Sequence, residues 1–129
     1  MNKQIIITAA LFGAVAVILG AFGAHGLKAL ITQPQLEIWQ KGVDYQFYHV
    51  FALLFLSTFT RFKNKLIAGA YYFFSLGIVF FSGSLYLLAC RDLLGLDTLT
   101  RIIGPITPLG GLFFIVGWVL VVLAAIRNK

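Results

Sequence analysis

Charge is what this sequence has least of: 11% of its 129 residues are charged and 60% are hydrophobic, with a mean hydropathy of +0.96. So little polar surface cannot cover a water-soluble globule, which excludes an ordinary soluble domain and makes lipid the main solvent. A single cysteine, Cys90, excludes an internal disulfide and a thiol pair for a metal, and is expected to be a small buried hydrophobe at a helix end. Acidic residues number only four against ten basic ones. The resulting net charge of +6 would suggest nucleic acid in a soluble protein. Here the basic residues flank hydrophobic spans and act as topology signals, so no nucleic-acid partner is expected. Also missing are a phosphate-binding glycine loop, a nucleophile elbow, a zinc-protease helix and paired intramembrane carboxylates. Enzyme classes with legible motifs are therefore unsupported, and no cofactor is expected.

What is present is a series of apolar runs. A hydrocarbon layer of about 30 Å takes roughly 20 helical residues to cross, so a chain of this length holds a handful of crossings and no second domain. The first run, Ile5 to Ala24, carries no charge and is longer than a signal-peptide core. Ala14-Val15-Ala16 fits a cleavage pattern but lies in mid-run, so this span is expected to stay in the mature protein. Thr32-Gln33-Pro34-Gln35 reads as a helix start, with Thr32 as N-cap, Gln35 completing a capping box and Pro34 in the first turn. Leu36, Trp39, Val43, Phe47 and Val50 then recur at helical spacing into a second crossing ending near Thr60, with Trp39 and Tyr45 as expected interfacial anchors.

After the basic turn Arg61-Phe62-Lys63-Asn64-Lys65, a third uncharged span runs from Leu66 to Ala89. The stretch from Arg91 to Gly104 pairs Asp97 with Arg101 at i,i+4 among leucines, as expected of a short surface helix. A fourth span starts near Ile106, with Pro105 and Pro108 about its first turn and Thr107 as a cap. The fold expected is all-α: one polytopic membrane domain over residues 1–129, a four-transmembrane-helix bundle with short interfacial helical segments. Its crossings fall at about 5–24, 43–60, 66–89 and 106–126.

Four crossings put Lys3, Arg61, Lys63, Lys65, Arg127 and Lys129 on one side with no acid, and balance Lys28, Lys41, Arg91 and Arg101 against Glu37, Asp44, Asp92 and Asp97 on the other. The positive-inside rule makes the first side cytoplasmic and places both termini there. Arg61, Lys63 and Lys65 are also well placed to meet anionic lipid. Because lipid removes most of the hydrophobic drive between helices, small residues should mark the contact faces. They are Gly13, Ala16, Gly20, Gly23 and Ala24; Gly69, Ser75, Gly77, Ser82, Gly83 and Ser84; and Gly110, Gly111 and Gly117.

His49 is the one readily ionisable side chain clearly within a crossing, and such residues are costly and often functional. It sits about a turn inside the second span, with Tyr45 at i−4 and Gln46 at i−3, while Asp44 and Tyr48 form a second i,i+4 pair. Together these residues make a polar cluster at the outer boundary, where His25 ends the first span. One reading has His25 and His49, with Asp44, binding a metal, a haem or a lipid headgroup, or passing a proton. The other has His25 capping its helix with Gly26 and His49 locking two helices through a tyrosine or carbonyl; two histidines without a third strong ligand are a weak metal site. Residues 104–111, with two prolines and three glycines, either offer N–H groups to an anionic headgroup or simply turn the chain into the last helix.

Four motifs then stand out together. They are Gly20-Ala21-Phe22-Gly23-Ala24-His25-Gly26-Leu27; Trp39 and Gly42 leading to Tyr45-Gln46-Phe47-Tyr48-His49; Phe81-Ser82-Gly83-Ser84-Leu85-Tyr86; and Ile106-Thr107-Pro108-Leu109-Gly110-Gly111 with Gly117-Trp118. Over nearly its whole length the chain resembles the small bacterial inner-membrane family catalogued as domain of unknown function 423. The resemblance implies a compact four-helix protein of the bacterial inner membrane with no established activity, and directs interest to His25, Tyr45, Gln46, His49, Thr107 and Pro108. The leading expectation is a non-enzymatic protein acting through helix packing, as a homo-oligomer or a small subunit of a larger membrane complex. One rival is a transporter or channel for a small solute or proton, lined by His49, Tyr48, Gln46 and Thr107. The other is a metal or haem protein using His25 and His49.

Overall fold

The computed structural model describes residues 2–59 and 65–127. Thr60, Arg61, Phe62, Lys63, Asn64 and Lys129, which enter the expected basic turn, the end of the second crossing and the charge count, lie outside the described residues. The chain forms α1 (Asn2–Ala24), a 3-10 turn (Leu27–Ala29), α2 (Gln33–Ser57), α3 (Lys65–Gly77), a π-helical turn (Ile78–Ser82), α4 (Gly83–Ala89), a second 3-10 turn (Asp97–Leu99) and α5 (Thr100–Arg127). No strand occurs among the described residues. Among the described residues three segments are long and apolar enough to cross a membrane: Lys3–Ala29, Lys65–Ala89 and Asp97–Arg127. The middle one runs unbroken through α3, the π turn and α4. α2 matches them in length, with 25 residues, but Glu37, Lys41 and Asp44 lower its hydropathy.

α2 begins as the sequence predicts. Gln35 N–H donates to Thr32 Oγ1 at 3.3 Å, Thr32 N–H donates to Gln35 Oε1 at 3.0 Å, and Pro34 sits in the first turn. α1 and α2 then pack antiparallel, with Gly23 against Trp39, Gly20 against Val43 and Gly13 against Val50. A Cβ on Gly23 would stand 2.7 Å from the Trp39 ring, so glycine is what lets the indole lie on α1. The rod of α3 and α4 packs antiparallel on α5 in the same manner: Phe74 lies on Gly117, Phe114 on Gly77, and the Phe81 backbone on Gly110. Phe74, Leu53, Leu56, Ile5 and Ala9 form the centre of one buried cluster, and Leu27, Trp39, Val43 and Ala89 that of a second.

Four local expectations are corrected. α5 starts at Thr100, so Pro105 and Pro108 lie inside the helix and Thr107 is not a cap. The prolines free only the Arg101 and Gly104 carbonyls, a small loss so near the start of a long helix. The expected separate surface helix over Arg91 to Gly104 is absent: turns and the Asp97–Leu99 segment occupy the stretch up to Leu99, where Gly95 at φ 65° interrupts any helix, and Thr100 to Gly104 belong to α5. Gly26 has φ −72° and gives no left-handed cap after His25. Trp39 does not face the interface: it is 5% exposed, and its indole N–H donates to the Leu19 carbonyl at 2.9 Å.

Candidate functional site

His49 lies deep in the bundle, because α2 packs along α1 from Trp39 onward. Its neighbour Val50 faces Gly13, midway along α1. His49 is 4% exposed, and its ring meets side chains of two neighbouring helices, α3 and α5. It stacks on Phe114 with ring centroids 3.5 Å apart at 9°, and stands 5.4 Å from the Phe74 ring. Trp118 Nε1–H donates to His49 Nε2 at 3.1 Å, and an indole can only donate. Nε2 must therefore be the acceptor and Nδ1 must carry the proton, which it gives to the Tyr45 carbonyl at 2.8 Å. The ring is held as one neutral tautomer, its N–H given to a carbonyl and its single in-plane lone pair engaged by the Trp118 N–H.

Gln46 faces α1 and α4, not α5. Its Nε2 donates to the Phe12 carbonyl at 2.7 Å and its Oε1 accepts from Tyr86 Oη at 2.6 Å, tying three helices through one amide. A turn away, Ser82 Oγ donates to the Gly42 carbonyl at 2.7 Å, where Gly42 also lies under the Tyr86 ring. Thr107 Oγ1 pairs with Ser84 Oγ at 2.6 Å, joining α5 to α4. Ser84 in turn donates to the Phe81 carbonyl at 2.9 Å, so Thr107 is the donor of its pair. At the end of α4, Gln35 Nε2 donates to Asp92 Oδ2 at 2.6 Å. Cys90 is buried there, and burial pushes its thiol up from the ordinary value.

The remaining candidates do not join this set. His25 is exposed at the end of α1. From Gly13, level with Val50, to His25 is twelve residues, or about 18 Å along the axis, so neighbouring helices do not bring the two histidines together. Among the described residues no group of three or more His, Cys, Asp or Glu side chains could hold a metal ion. Tyr48 is 57% exposed and points away from the bundle, and half-exposed Asp44 accepts from Gln40 at 2.7 Å. His49, Tyr48, Gln46 and Thr107 thus face different neighbours and line no common path. Tyr45 and His49 do border one open groove of about 570 Å³, closed on its far side by Pro108, Leu112, Ile115 and Trp118. Among the described residues no buried side-chain nitrogen or oxygen lacks a hydrogen-bond partner.

Residue reasoning alone missed Trp118, Phe114, Tyr86 and Ser84 as the partners that fix these groups. The signal for them lay in the motifs ending at Tyr86 and Trp118, where a glycine or serine stands near each aromatic.

The protein-family model described as "Protein of unknown function (DUF423)" matches residues 19–111. A UPF0382 membrane protein of Staphylococcus epidermidis is 42% identical over 125 residues, covering 97% of both chains. The UPF0382 membrane protein YwdK of Bacillus subtilis is 41% identical over 128 residues, covering 97% of this chain and 98% of its own. A UPF0382 membrane protein of Staphylococcus haemolyticus is 39% identical over 125 residues, with 97% of each chain covered. No solved structure matches. On this evidence the chain belongs to the DUF423 family of proteins of unknown function, whose relatives here are named membrane proteins.

Proposed function

We propose that this chain is a four-crossing protein of the bacterial inner (plasma) membrane with both termini cytoplasmic. It works without catalysis, as a helix-packing component: a homo-oligomer or a small subunit of a larger membrane complex. One observation carries this reading. The side chains with chemical potential inside the bundle, His49, Gln46, Tyr86, Ser82, Ser84 and Thr107, spend their polar atoms on bonds to other helices or to their own backbone. Such bonds are a means of helix association in lipid, where each is worth about 0.6 kcal/mol on average.

The fourth crossing is supported by packing. α2 lies along α1 from Gly23 to Gly13, so a membrane deep enough to hold α1 also holds α2. The orientation is supported by charge, with Lys3, Lys65 and Arg127 at one end and the four acids at the other. Mild extraction from native membranes, followed by the mass of the intact particle, tests the reading. A particle well above the 14.2 kDa of one chain is expected, and a monomer carrying only lipid refutes it. For transport, His49→Ala at unchanged protein level discriminates: loss of flux would favour a pathway, whereas the packing reading expects loss of stability alone.

A further inference from the structure

The groove between α2 and α5 follows one face of α5, from Pro108 through Leu112 and Ile115 to Trp118, ten residues or about 15 Å along the axis. Its depth follows from the packing of α2 on α1. Val43 faces Gly20 and Val50 faces Gly13, so Tyr45, on the opposite wall of the groove, stands near the level of Ile18. From Ala24, where α1 ends, to Ile18 is six residues, about 9 Å. Whatever enters the groove therefore comes from the lipid phase, a conclusion that rests on the four-crossing reading above. Two features say what kind of molecule fits. Five of the nine lining residues, Tyr45, His49, Phe81, Phe114 and Trp118, carry rings, which favours a flat ring over a flexible chain. Phe81 reaches this wall from the π-helical turn, a form of backbone that is found often at functional sites. The second feature is the Tyr45 hydroxyl. The polar groups of His49 and Trp118 are spent on bonds within the protein, whereas no hydrogen bond reaches Tyr45 Oη among the described residues. The Tyr45 ring is kept within the bundle by Phe81 at 4.8 Å, and lies nearly parallel to those of His49 and Phe114 at 6.4 and 6.5 Å. A hydroxyl held in hydrocarbon has no water to pair with and needs an acceptor brought by another molecule.

We propose that this groove binds the ring of an isoprenoid quinone, with a ring carbonyl accepting from Tyr45 Oη–H and the isoprenoid chain leaving along Leu112 and Ile115 into lipid. The volume, about 570 Å³, lies within the range of small-molecule sites. Depth selects the quinone over a phospholipid. The ester carbonyls of a phospholipid are tied to a charged headgroup at the edge of the hydrocarbon layer, about 9 Å from the level of Tyr45, whereas a quinone has no charge to hold it there. The need for an acceptor sets aside a plain hydrocarbon chain. Recognition falls to one hydroxyl and to ring faces, because His49 offers neither a free N–H nor a free lone pair.

The test uses the full chain in nanodiscs of phosphatidylcholine and phosphatidylglycerol, titrated with a naphthoquinone bearing two isoprene units. Trp118 lines the groove, so binding is read as saturable quenching of tryptophan fluorescence. Tyr45→Phe keeps the ring and removes the hydroxyl, and should weaken binding roughly three- to tenfold. A Cβ on Gly111 would stand 3.8 Å from the Phe81 ring, so Gly111→Leu grows into the groove and should abolish saturable quenching at unchanged circular dichroism. Farnesol, an isoprenoid chain without the ring, should not compete. Absence of saturable quenching in the native chain, equal affinity in Tyr45→Phe, or displacement of the quinone by an equal concentration of farnesol overturns the proposal. Tyr48→Cys in a Cys90→Ala background separates this proposal from the reading on which it rests. Protection of that cysteine from a water-soluble maleimide in the nanodisc supports the depth of α2, and a failed titration then overturns the quinone site alone. Labelling as fast as in SDS overturns both.

Discussion

Replacing Gly110 with alanine puts a methyl group where α5 meets the backbone of the π turn. The new Cβ would stand 2.7 Å from Phe81 Cα and 2.8 Å from Phe81 Cβ. Carbon atoms rest at about 3.5–4.0 Å, so the two helices must part locally by roughly 1 Å. The obstacle is main chain, which cannot rotate aside as a side-chain tip can. Overpacking of this kind costs about 1–3 kcal/mol. The separation also strains the 2.6 Å bond between Thr107 and Ser84, worth about 0.6 kcal/mol in a membrane. Alanine returns up to about 1 kcal/mol of helix propensity, which leaves a net loss of about 1–3 kcal/mol.

Gly104→Ala is the matched control on the same helix, since a Cβ there meets nothing within 4 Å and only the propensity gain remains. The two variants should therefore differ by about 2–4 kcal/mol in unfolding by SDS titration from mild detergent, followed by circular dichroism. Equal midpoints would show that the close approach of α5 to Phe81 does not hold the bundle, and the packing argument would fail with it.

Three further outcomes follow from the polar contacts. His49→Ala removes the acceptor of the Trp118 indole and the stack on Phe114, and should cost about 2–4 kcal/mol. His49→Gln, with an amide oxygen able to accept from Trp118, should recover part of that, and an alanine variant of unchanged stability would refute the role. Gln46→Leu and Tyr86→Phe should each destabilise by about 1 kcal/mol, and their double-mutant cycle should show coupling of roughly 0.6 kcal/mol; strict additivity would mean that the 2.6 Å bond contributes nothing. For Cys90, burial favours the thiol over the thiolate, so maleimide labelling in the folded protein should be slower than in SDS at pH 7 and accelerate as pH rises. The sign for stability is the same: the contribution of this group is complete below about pH 8.5 and is lost as pH climbs through the raised folded value. Equal labelling rates in the folded and denatured states would refute the burial.

Much of the architecture was legible because lipid imposes few solutions on an apolar chain. The uncharged runs ending at Ala24 and Ala89 marked their helices closely, and the Thr32/Gln35 capping box located the start of α2. The errors occurred where tertiary contact decides local form. Two prolines in one segment read as a helix start, yet Ile103 and Gly110 bury against the bundle and carry the helix back to Thr100. The π turn at Ile78–Ser82 has no one-residue signature; it lies where the Phe81 backbone must meet Gly110. Small residues correctly marked contact faces, but not which aromatic ring would cover each.

The candidate site was half legible, and α2 shows why. Spacing alone grouped Asp44, Tyr45, Gln46, Tyr48 and His49, but successive residues on a helix point about 100° apart, so a cluster in sequence is dispersed in space. Gln46 turns to α1 and α4, His49 to α5, and Asp44 and Tyr48 outward. α2 is the helix that bonds to each of those neighbours, and the polar residues this requires are what depress its hydropathy below that of the three apolar segments. Its inward polar groups are accounted for by those bonds. Outward Glu37 and Lys41 are exposed and half-exposed Asp44 accepts from Gln40 on its own helix, so the polar residues of α2 divide between bonds to three neighbouring helices and an outer face that plays no part in the fold of one chain.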